Sequence, residues 1–335
     1  MTIFKHLLVA LVFTWQLAAS ARADKVVIVA GGGDGPDGGP AIGAAMGQPF
    51  GVAIDKQGNL LIADFSEHRV RKVDPSGTIT TIAGNGQGAF AGDGGPATKG
   101  SFKAMHDLVL DGEGNLFIAD SSNRRVRKVD AKTGLLSTVA GNGEKGVSGD
   151  GGPAVDASLD GVASLYFDRT FTKLYLTGFS SVVRVLDLRT GIIDTVAGLP
   201  GGRSIAVDSQ GNIYVAGGKT PLRVRRPDGT VEVLVDKQQA QPGAMTLGDH
   251  PKHLGLDADG NVLIADDFGH AIKKYIVSEK RIMLVVGTGV RGAEGLNGPP
   301  LAVQLDGPHG VYYHAPTQSL YICDSRNKRV LKVAP

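Results

Sequence analysis

A repeated unit is the feature that most restricts how this chain can fold. Residues 59–84, NLLIADFSEHRVRKVDPSGTITTIAG, return in similar form at residues 115–141 as NLFIADSSNRRVRKVDAKTGLLSTVAG. Each copy contains short apolar or alternating runs, which are typical of strands rather than helices. Asp, Asn, Gly, Pro and Ser separate these runs and favour tight turns. With GVAID at 51–55, one unit has four strands, too few to bury both faces alone, so stacked sheets are predicted, as in a propeller.

Six copies of the unit can be aligned by their first strand. Four of them keep an Asp-x-x-Gly-Asn turn after it, whereas the third copy lacks Gly-Asn and the sixth has His314 in the Asp position. The sixth copy ends after its third strand, RVLKVAP, while KVVIVAGGG at 25–33 reads as a fourth strand with no copy before it. We therefore expect an all-β, six-bladed propeller over residues 24–335, closed by the N-terminal strand.

The order of the strands points to a known repeat. The succession GVAID, GNLLIAD, HRVRKVD and TITTIAG resembles the NHL repeat, and the resemblance covers nearly all of the chain after residue 23. Six such repeats imply a six-bladed β-propeller of four-stranded antiparallel blades. The family includes enzymes, scaffolds and RNA-binding modules, so the fold alone does not define a function.

The N-terminal segment is typical of an export signal. Lys5 and His6 precede the apolar run LLVALVF, and Ala21-Arg22-Ala23 has the small-x-small form of a signal peptidase site. We predict that residues 1–23 are a signal peptide and that cleavage leaves a periplasmic or secreted monomer without a membrane segment.

The charge balance disfavours a polyanionic partner. The chain has 35 Lys and Arg against 33 Asp and Glu, and loss of Lys5 and Arg22 with the signal peptide makes the two numbers equal. Nucleic-acid binding relies on a clustered surplus of Lys and Arg, so no nucleic-acid partner is expected. A small-molecule ligand or a protein is the expected partner.

Long Gly-rich loops precede the first, second, third and sixth blades. In a propeller these connections lie on one face, which we call the long-loop face. Their acidic residues, Asp34, Asp37, Asp93 and Asp150, suggest calcium, yet the loops lack the nonapeptide period of calcium-binding β-rolls. Structural turns are the favoured interpretation.

A ring of candidate site residues opens the first strands. Counting five residues back from the strand-end Asp or its equivalent gives Phe50, His106, Ala163, Arg203, Lys252 and His309. Four of the six can carry or share a proton, and all are expected at the mouth of the central channel. The ring departs from the repeat, which marks a candidate site. The recurring Asp64, Asp120, Asp266 and Asp324 are instead expected to fix turns.

Two histidines of this ring resemble those of one NHL enzyme, the peptidyl-hydroxyglycine amidating lyase. Its zinc ligands are histidines that open inner strands in Pro-His-x-Leu-like contexts. Pro308-His309-Gly310-Val311 matches that form, and Met105-His106-Asp107-Leu108 matches it without the proline. The resemblance implies His106 and His309 as zinc ligands. The blade-four position is Arg203, whose charge would repel a metal, and His253 is the nearest substitute.

Three interpretations of the ring stay open. In a lyase or hydrolase, Arg203 and Lys252 bind an anionic group and His106 or His309 moves a proton, with or without a divalent metal, zinc or calcium. In a binding module, the same face holds a small ligand or a protein without chemistry. In the third interpretation, the ring is a polar plug with ordered water.

Several neighbours complete the candidate site. Asp107 is expected to orient His106 or to cap its loop, and Phe50, Asp107 and His253 are expected to contact the ligand. Phe65, Phe179 and Phe268 follow second-strand ends in some blades and are expected to wall the same rim.

Overall fold

In the computed structural model the described residues are 24–217, 220–235, 247 and 250–335. The predicted signal peptide, residues 1–23, lies outside them. Within the described ranges no helix is long and apolar enough to span a membrane. Helical structure in these ranges takes the form of single 3₁₀ turns: Ala97–Lys99, Ser121–Asn123, Ala154–Asp156, Pro300–Ala302, Ala315–Thr317 and Ser325–Asn327.

The chain is built from short strands in the order that the repeat predicts. Those up to the third blade are β1 (Lys25–Gly33), β2 (Ile42–Ala45), β3 (Pro49–Ile54), β4 (Leu60–Asp64), β5 (Arg69–Val73), β6 (Ile79–Ala83), β7 (Met105–Leu110), β8 (Leu116–Asp120), β9 (Arg125–Val129), β10 (Leu136–Ala140), β11 (Gly152–Pro153), β12 (Val162–Phe167), β13 (Lys173–Gly178), β14 (Val182–Asp187) and β15 (Ile192–Pro200). Those of the last three blades are β16 (Ser204–Val207), β17 (Ile213–Gly217), β18 (Thr220–Arg225), β19 (Val231–Val235), β20 (Pro251–Leu256), β21 (Val262–Asp266), β22 (Ala271–Ile276), β23 (Arg281–Val286), β24 (Pro308–His314), β25 (Ser319–Asp324) and β26 (Arg329–Ala334).

These strands form six antiparallel sheets, one for each repeat. Blades one, two, four and five have four strands each, β3–β6, β7–β10, β16–β19 and β20–β23. Blade three, β12–β15, gains the short β11 at its outer edge. The first strand of each blade lies innermost, and neighbouring inner strands contact each other around the ring. The expected six-bladed β-propeller is thus confirmed.

The sixth blade closes the ring with the N-terminal strand. β1 pairs antiparallel with β26, from Lys25 opposite Ala334 to Gly31 opposite Arg329. β2 then adds to β1 in parallel, as a fifth strand at the outer edge of the same sheet. The predicted closure is therefore correct, and the structure extends it by one edge strand.

The recurring Asp-x-x-Gly-Asn motif is a turn between the first and second strands. The carboxylate of Asp55 accepts hydrogen bonds from the backbone N–H groups of Gln57 and Asn59 and from the Asn59 side chain. Gly58 takes φ +83° in this turn, a conformation that favours glycine. These turns lie at the end of the inner strands opposite to the long loops, on what we call the short-turn face.

The hydrophobic core is divided among the spaces between adjacent blades. One cluster, for example, joins Leu61 and Val70 of blade one to Leu108 and Ile118 of blade two, with Phe102 from the intervening loop. Such layers hold each blade to the next, because a four-stranded sheet buries its apolar faces only against its neighbours.

Buried charges fix the long loops to the blades. Arg71 Nη2 lies 3.0 Å from Asp37 Oδ1, and Arg184 Nη2 lies 2.7 Å from Asp150 Oδ1. Asp64 is fully buried at the end of β4 and accepts a hydrogen bond from the Gly47 backbone N–H, at 2.9 Å. The loop acids and the strand-end acids therefore act structurally, as the repeat pattern predicts.

Candidate functional site

Aromatic rings fill the mouth of the channel on the long-loop face. Phe50 stacks on His309 with ring centroids 3.7 Å apart and on Phe65 at 4.2 Å. His106 packs edge-on against Phe179 at 5.5 Å and against His309 at 5.8 Å. The inner-strand starts and the second-strand ends converge at this point, so the predicted Phe50, Phe65, His106, Phe179 and His309 are brought together.

His309 is sealed within this cluster. Its side chain stacks under Phe50, and neither ring nitrogen makes a hydrogen bond within the described structure. Burial lowers the pKa of its imidazole well below the usual value, with a further contribution from the Arg203 charge. At neutral pH His309 is therefore an uncharged ring whose two nitrogens are both buried.

His106 has a defined tautomer. Its Nδ1 lies 3.0 Å from the carbonyl oxygen of Ala104, and because a carbonyl only accepts, Nδ1 carries the proton. Burial first, and then the charge of Arg203, lower the pKa of His106 to about 4. The ring is neutral at physiological pH and its Nε2 has a free lone pair, which makes it an acceptor and only a weak base.

Arg203 lines a cavity of about 570 Å³ at the rim of this face. Its guanidinium carbon lies 5.0 Å from the centroid of Phe179, a cation–π arrangement. Its Nε is buried and makes no hydrogen bond within the described structure. No carboxylate of the described residues lies within ion-pair distance of this guanidinium, so its charge is available to a ligand.

Lys252 lines the same cavity but already has a partner. Its Nζ lies 3.2 Å from Asp267 Oδ2, while Asp267 Oδ1 accepts from Arg326 Nη2 at 2.8 Å. Burial, followed by the charge of Arg203, lowers the pKa of Lys252. Arg326 also contacts Asp306, at 3.5 Å, so Lys252 and Arg326 both have carboxylate partners, and Arg203 adds a positive charge to the rim without one among the described residues.

No hydrogen bond joins Asp107 to His106 in the described structure. Its Oδ1 accepts from the Leu108 N–H at 2.8 Å, and its Oδ2 accepts from the Leu165 N–H at 2.9 Å and from His253 Nε2 at 3.3 Å. The carboxylate thus ties three inner strands together below the aromatic cluster. His253 faces this buried carboxylate rather than the long-loop rim.

The described residues do not complete a metal site. His106 and His309 lie close together, but the third position is the cation Arg203, and no group of three or more His, Cys, Asp or Glu in the described chain could hold a metal ion. Catalytic zinc takes three protein ligands, so this donor set does not fit the amidating-lyase pattern. The loop acids Asp37 and Asp150 are held by arginines, which also makes them unsuitable for calcium.

Sequence reasoning missed part of the rim. His250 lies against Phe268, with ring centroids 4.3 Å apart, and lines the same cavity as Arg203. Asp267 pairs with Lys252 of its own blade and with Arg326 of the sixth blade. Asp267 and Arg326 follow strand ends of the repeat, so comparing that position across blades could have found them, as it found Phe65 and Phe179.

The comparisons with known proteins agree on the architecture. A family model for the β-propeller repeat SBBP matches residues 202–217. The chain is 26% identical over 295 residues to protein suppressor of quenching 1, chloroplastic, of Arabidopsis thaliana, covering 86% of this chain and 25% of that protein. It is 23% identical over 337 residues to NHL repeat-containing protein 2 of Gallus gallus, covering 84% of this chain and 46% of that protein. It therefore spans between a quarter and about half of these relatives.

A solved structure shows the same fold. An auxiliary nutrient binding protein from Bacteroides ovatus superposes with a TM-score of 0.68 at 16% identity, covering 93% of this chain and 77% of that one. At this identity the likeness concerns the fold alone. The recurring strand pattern, the closed ring of six blades and the similarity to NHL repeat-containing protein 2 support an NHL-type β-propeller.

Proposed function

We propose that this protein binds a small anionic ligand with an apolar or aromatic body on its long-loop face. The observation that carries the proposal is Arg203, a largely buried cation that lines a cavity and has no carboxylate within ion-pair distance among the described residues. A buried unpaired charge is costly, so the cavity gains free energy when an anion enters it.

The neighbours of Arg203 define the ligand further. Lys252 adds a second cation to the cavity. The exposed ring of Phe179 lines it, and the exposed ring of Phe268 packs on His250 of its lining, so both offer apolar surface nearby. A carboxylate or sulfonate can take charge-assisted hydrogen bonds from the guanidinium while its body packs on these rings. The similar fold of a nutrient binding protein from Bacteroides ovatus is consistent with a binding role.

Anilinonaphthalene sulfonate is a suitable probe, because it combines an anionic group with an aromatic body and fluoresces on binding. We expect saturable, salt-sensitive binding that competes with benzoate. Loss of a charge-assisted hydrogen bond predicts that Arg203→Gln weakens binding about 10- to 100-fold. The control is Arg189→Gln, since Arg189 is highly exposed on a strand turn of blade three. Equal affinity of the two variants would refute the proposal.

A lyase or hydrolase is a second candidate function. It is favoured by the tautomer of His106, whose free Nε2 lone pair can accept a proton close to Arg203 and Lys252. The neutral His309 would contribute packing rather than proton transfer. Turnover of a small anionic ester or amide that disappears in His106→Ala, with anion binding retained, would establish this function. Unchanged turnover in that variant would eliminate it.

Export is part of the proposal and rests on the N-terminal sequence. The apolar run after Lys5 and the Ala21-Arg22-Ala23 site support removal of residues 1–23, which would release a periplasmic or secreted monomer. N-terminal sequencing of the protein from its native host tests this. A first residue of Asp24 is expected, and recovery of the intact N-terminus in membranes would contradict it.

A further inference from the structure

The larger cavity of the molecule lies at the opposite end of the channel. Its volume is about 1060 Å³, and all six inner strands contribute to its walls, from Val52 in blade one to Val311 in blade six. The turn residues Asp55, Asp111 and Asp208 line it as well, which places its opening on the short-turn face. The volume is at the upper end of the range for small-molecule sites.

This cavity is separate from the anion site. No residue lines both cavities. Between them lie the stacked Phe50 and His309 and, below these, the hydrogen-bonded pair of Asp107 and His253. A molecule bound at one end therefore cannot contact the groups that define the other.

The walls of the cavity are mainly apolar. The partly buried side chains of Ile54, Leu110 and Leu256 line it together with the tyrosines Tyr166 and Tyr312. The Tyr166 hydroxyl makes no hydrogen bond with a described residue, so it can donate to or accept from a ligand.

The inner end of the cavity selects against charge. Asp107 is buried there, and its carboxylate already accepts three hydrogen bonds, from the Leu108 and Leu165 N–H groups and from His253. It has no donor to offer an anion, and its own charge repels one. A cation would have to displace His253 from it. The mouth carries Lys56, Lys72, Lys132 and Arg169 together with a small surplus of acids, several of which, such as Asp55 and Asp111, already accept hydrogen bonds within their own turns.

We infer that the short-turn end of the channel is a second binding site, which takes a neutral, elongated, mainly apolar molecule with a single hydrogen-bonding group directed at Tyr166. The apolar body replaces water against the walls, and the polar group meets the hydroxyl. The two ends of one channel thus have opposite preferences, an anion at the long-loop face and an uncharged molecule here.

The probe is N-phenylnaphthylamine, the uncharged counterpart of anilinonaphthalene sulfonate, which has one N–H group. In a fluorescence titration of the full chain we expect saturable binding of one equivalent that salt does not weaken. Ile54→Glu places a charge in the apolar wall and should weaken binding about tenfold or more. The matched control is Val233→Glu, because Val233 is exposed on the outer strand of blade four. This control should bind like the parent protein.

A more conservative variant provides a second test in case Ile54→Glu does not fold. Tyr166→Phe removes only the hydroxyl and should weaken binding about fivefold, as expected for one neutral hydrogen bond. Absence of saturable binding, or unchanged affinity in Tyr166→Phe, would overturn the inference. Loss of binding in Phe179→Ser would also overturn it, because the probe would then lie on the long-loop face. Loss of sulfonate binding in Arg203→Gln concerns the other site, so the two proposals can fail independently.

Discussion

Replacing Arg127 by Met is expected to lower the free energy of unfolding by about 3–5 kcal/mol, the usual cost of breaking a buried ion pair. The guanidinium is fully buried, with Nη2 2.5 Å from Asp93 and Nη1 3.3 Å from Asp120. Asp120 is fully buried too, so without Arg127 its carboxylate retains only neutral donors such as the Lys103 N–H and the Asn123 amide. Methionine keeps most of the apolar part of the arginine side chain, so the loss of stability measures the effect of removing the Arg127 charge.

The first blade supplies the matched control. Arg71 occupies the same repeat position, but its partner Asp37 is half-exposed, and no hydrogen bond joins it to Asp64, the equivalent of Asp120. Arg71→Met should therefore cost about 1.5–3 kcal/mol, the value of a hydrogen bond to a charged group. Urea unfolding followed by circular dichroism gives both free energies. Equal losses in the two variants would refute the argument from the buried carboxylate.

The pH dependence makes the test sharper. Burial raises the pKa of Asp120 to about 6 from 3.8, so the folded chain binds a proton at this carboxyl more readily than the unfolded chain. Protonation of Asp120 therefore stabilises the fold at low pH, and this stabilisation is lost as pH rises through 6. At pH values well below 6 the carboxyl is neutral and needs no cation. Arg127→Met should then cost less at low pH than at neutral pH. Adding Asp120→Asn should recover much of the loss at neutral pH only, and a loss independent of pH would contradict the reasoning.

Three further perturbations follow from the inner ring. His309→Phe keeps the stack on Phe50 and removes two buried nitrogens without partners, so it should raise the free energy of unfolding by about 1 kcal/mol in urea unfolding. Burial lowers the pKa of His106 to about 4 from 6.5, so the unfolded chain binds a proton at a higher pH than the folded chain. The free energy of unfolding should therefore fall as pH drops from 6.5 to 4, and His106→Phe should reduce this pH dependence in the same assay. Gly310→Ala should lower the thermal midpoint by several degrees, because a Cβ there would lie 2.2 Å from the Phe50 carbonyl oxygen. An unchanged midpoint would show that the inner strands can move apart.

The architecture was predictable because the same succession of strands recurs in each repeat. The strand runs, the Asp-x-x-Gly-Asn turn and the unmatched strand at 25–33 each depend on local sequence, and the structure confirms all three. The loop anchors were predictable in principle as well. Arg71, Arg127 and Arg184 each bind an Asp that lies 34 residues earlier in the chain, and this constant spacing is visible in the sequence.

The details of the site were less accessible from sequence. Aligning the inner-strand starts found Phe50, His106 and His309, because position in the repeat determines their place in the ring. Asp107 pairs with His253, which comes from a blade across the channel. Which residue pairs with Asp107 depends on how the side chains pack inside the ring, and the sequence does not reveal this packing. The short-turn cavity has no motif at all, since its size follows from the radius at which six inner strands pack.

The antiparallel pairing of β1 with β26 affects how the protein reaches its folded state. Lys25 is synthesised near the beginning of the chain and Ala334 near its end, yet the two lie opposite each other in one sheet. During synthesis, β1 would be left without its partner until β26 emerged. Closing so long a loop is entropically costly and slow, so an unpaired β1 edge is open to proteases and to other chains in the interval. A circular permutant with Pro335 linked to Lys25 and new ends in a distant loop would make this pairing local, and we expect it to fold faster.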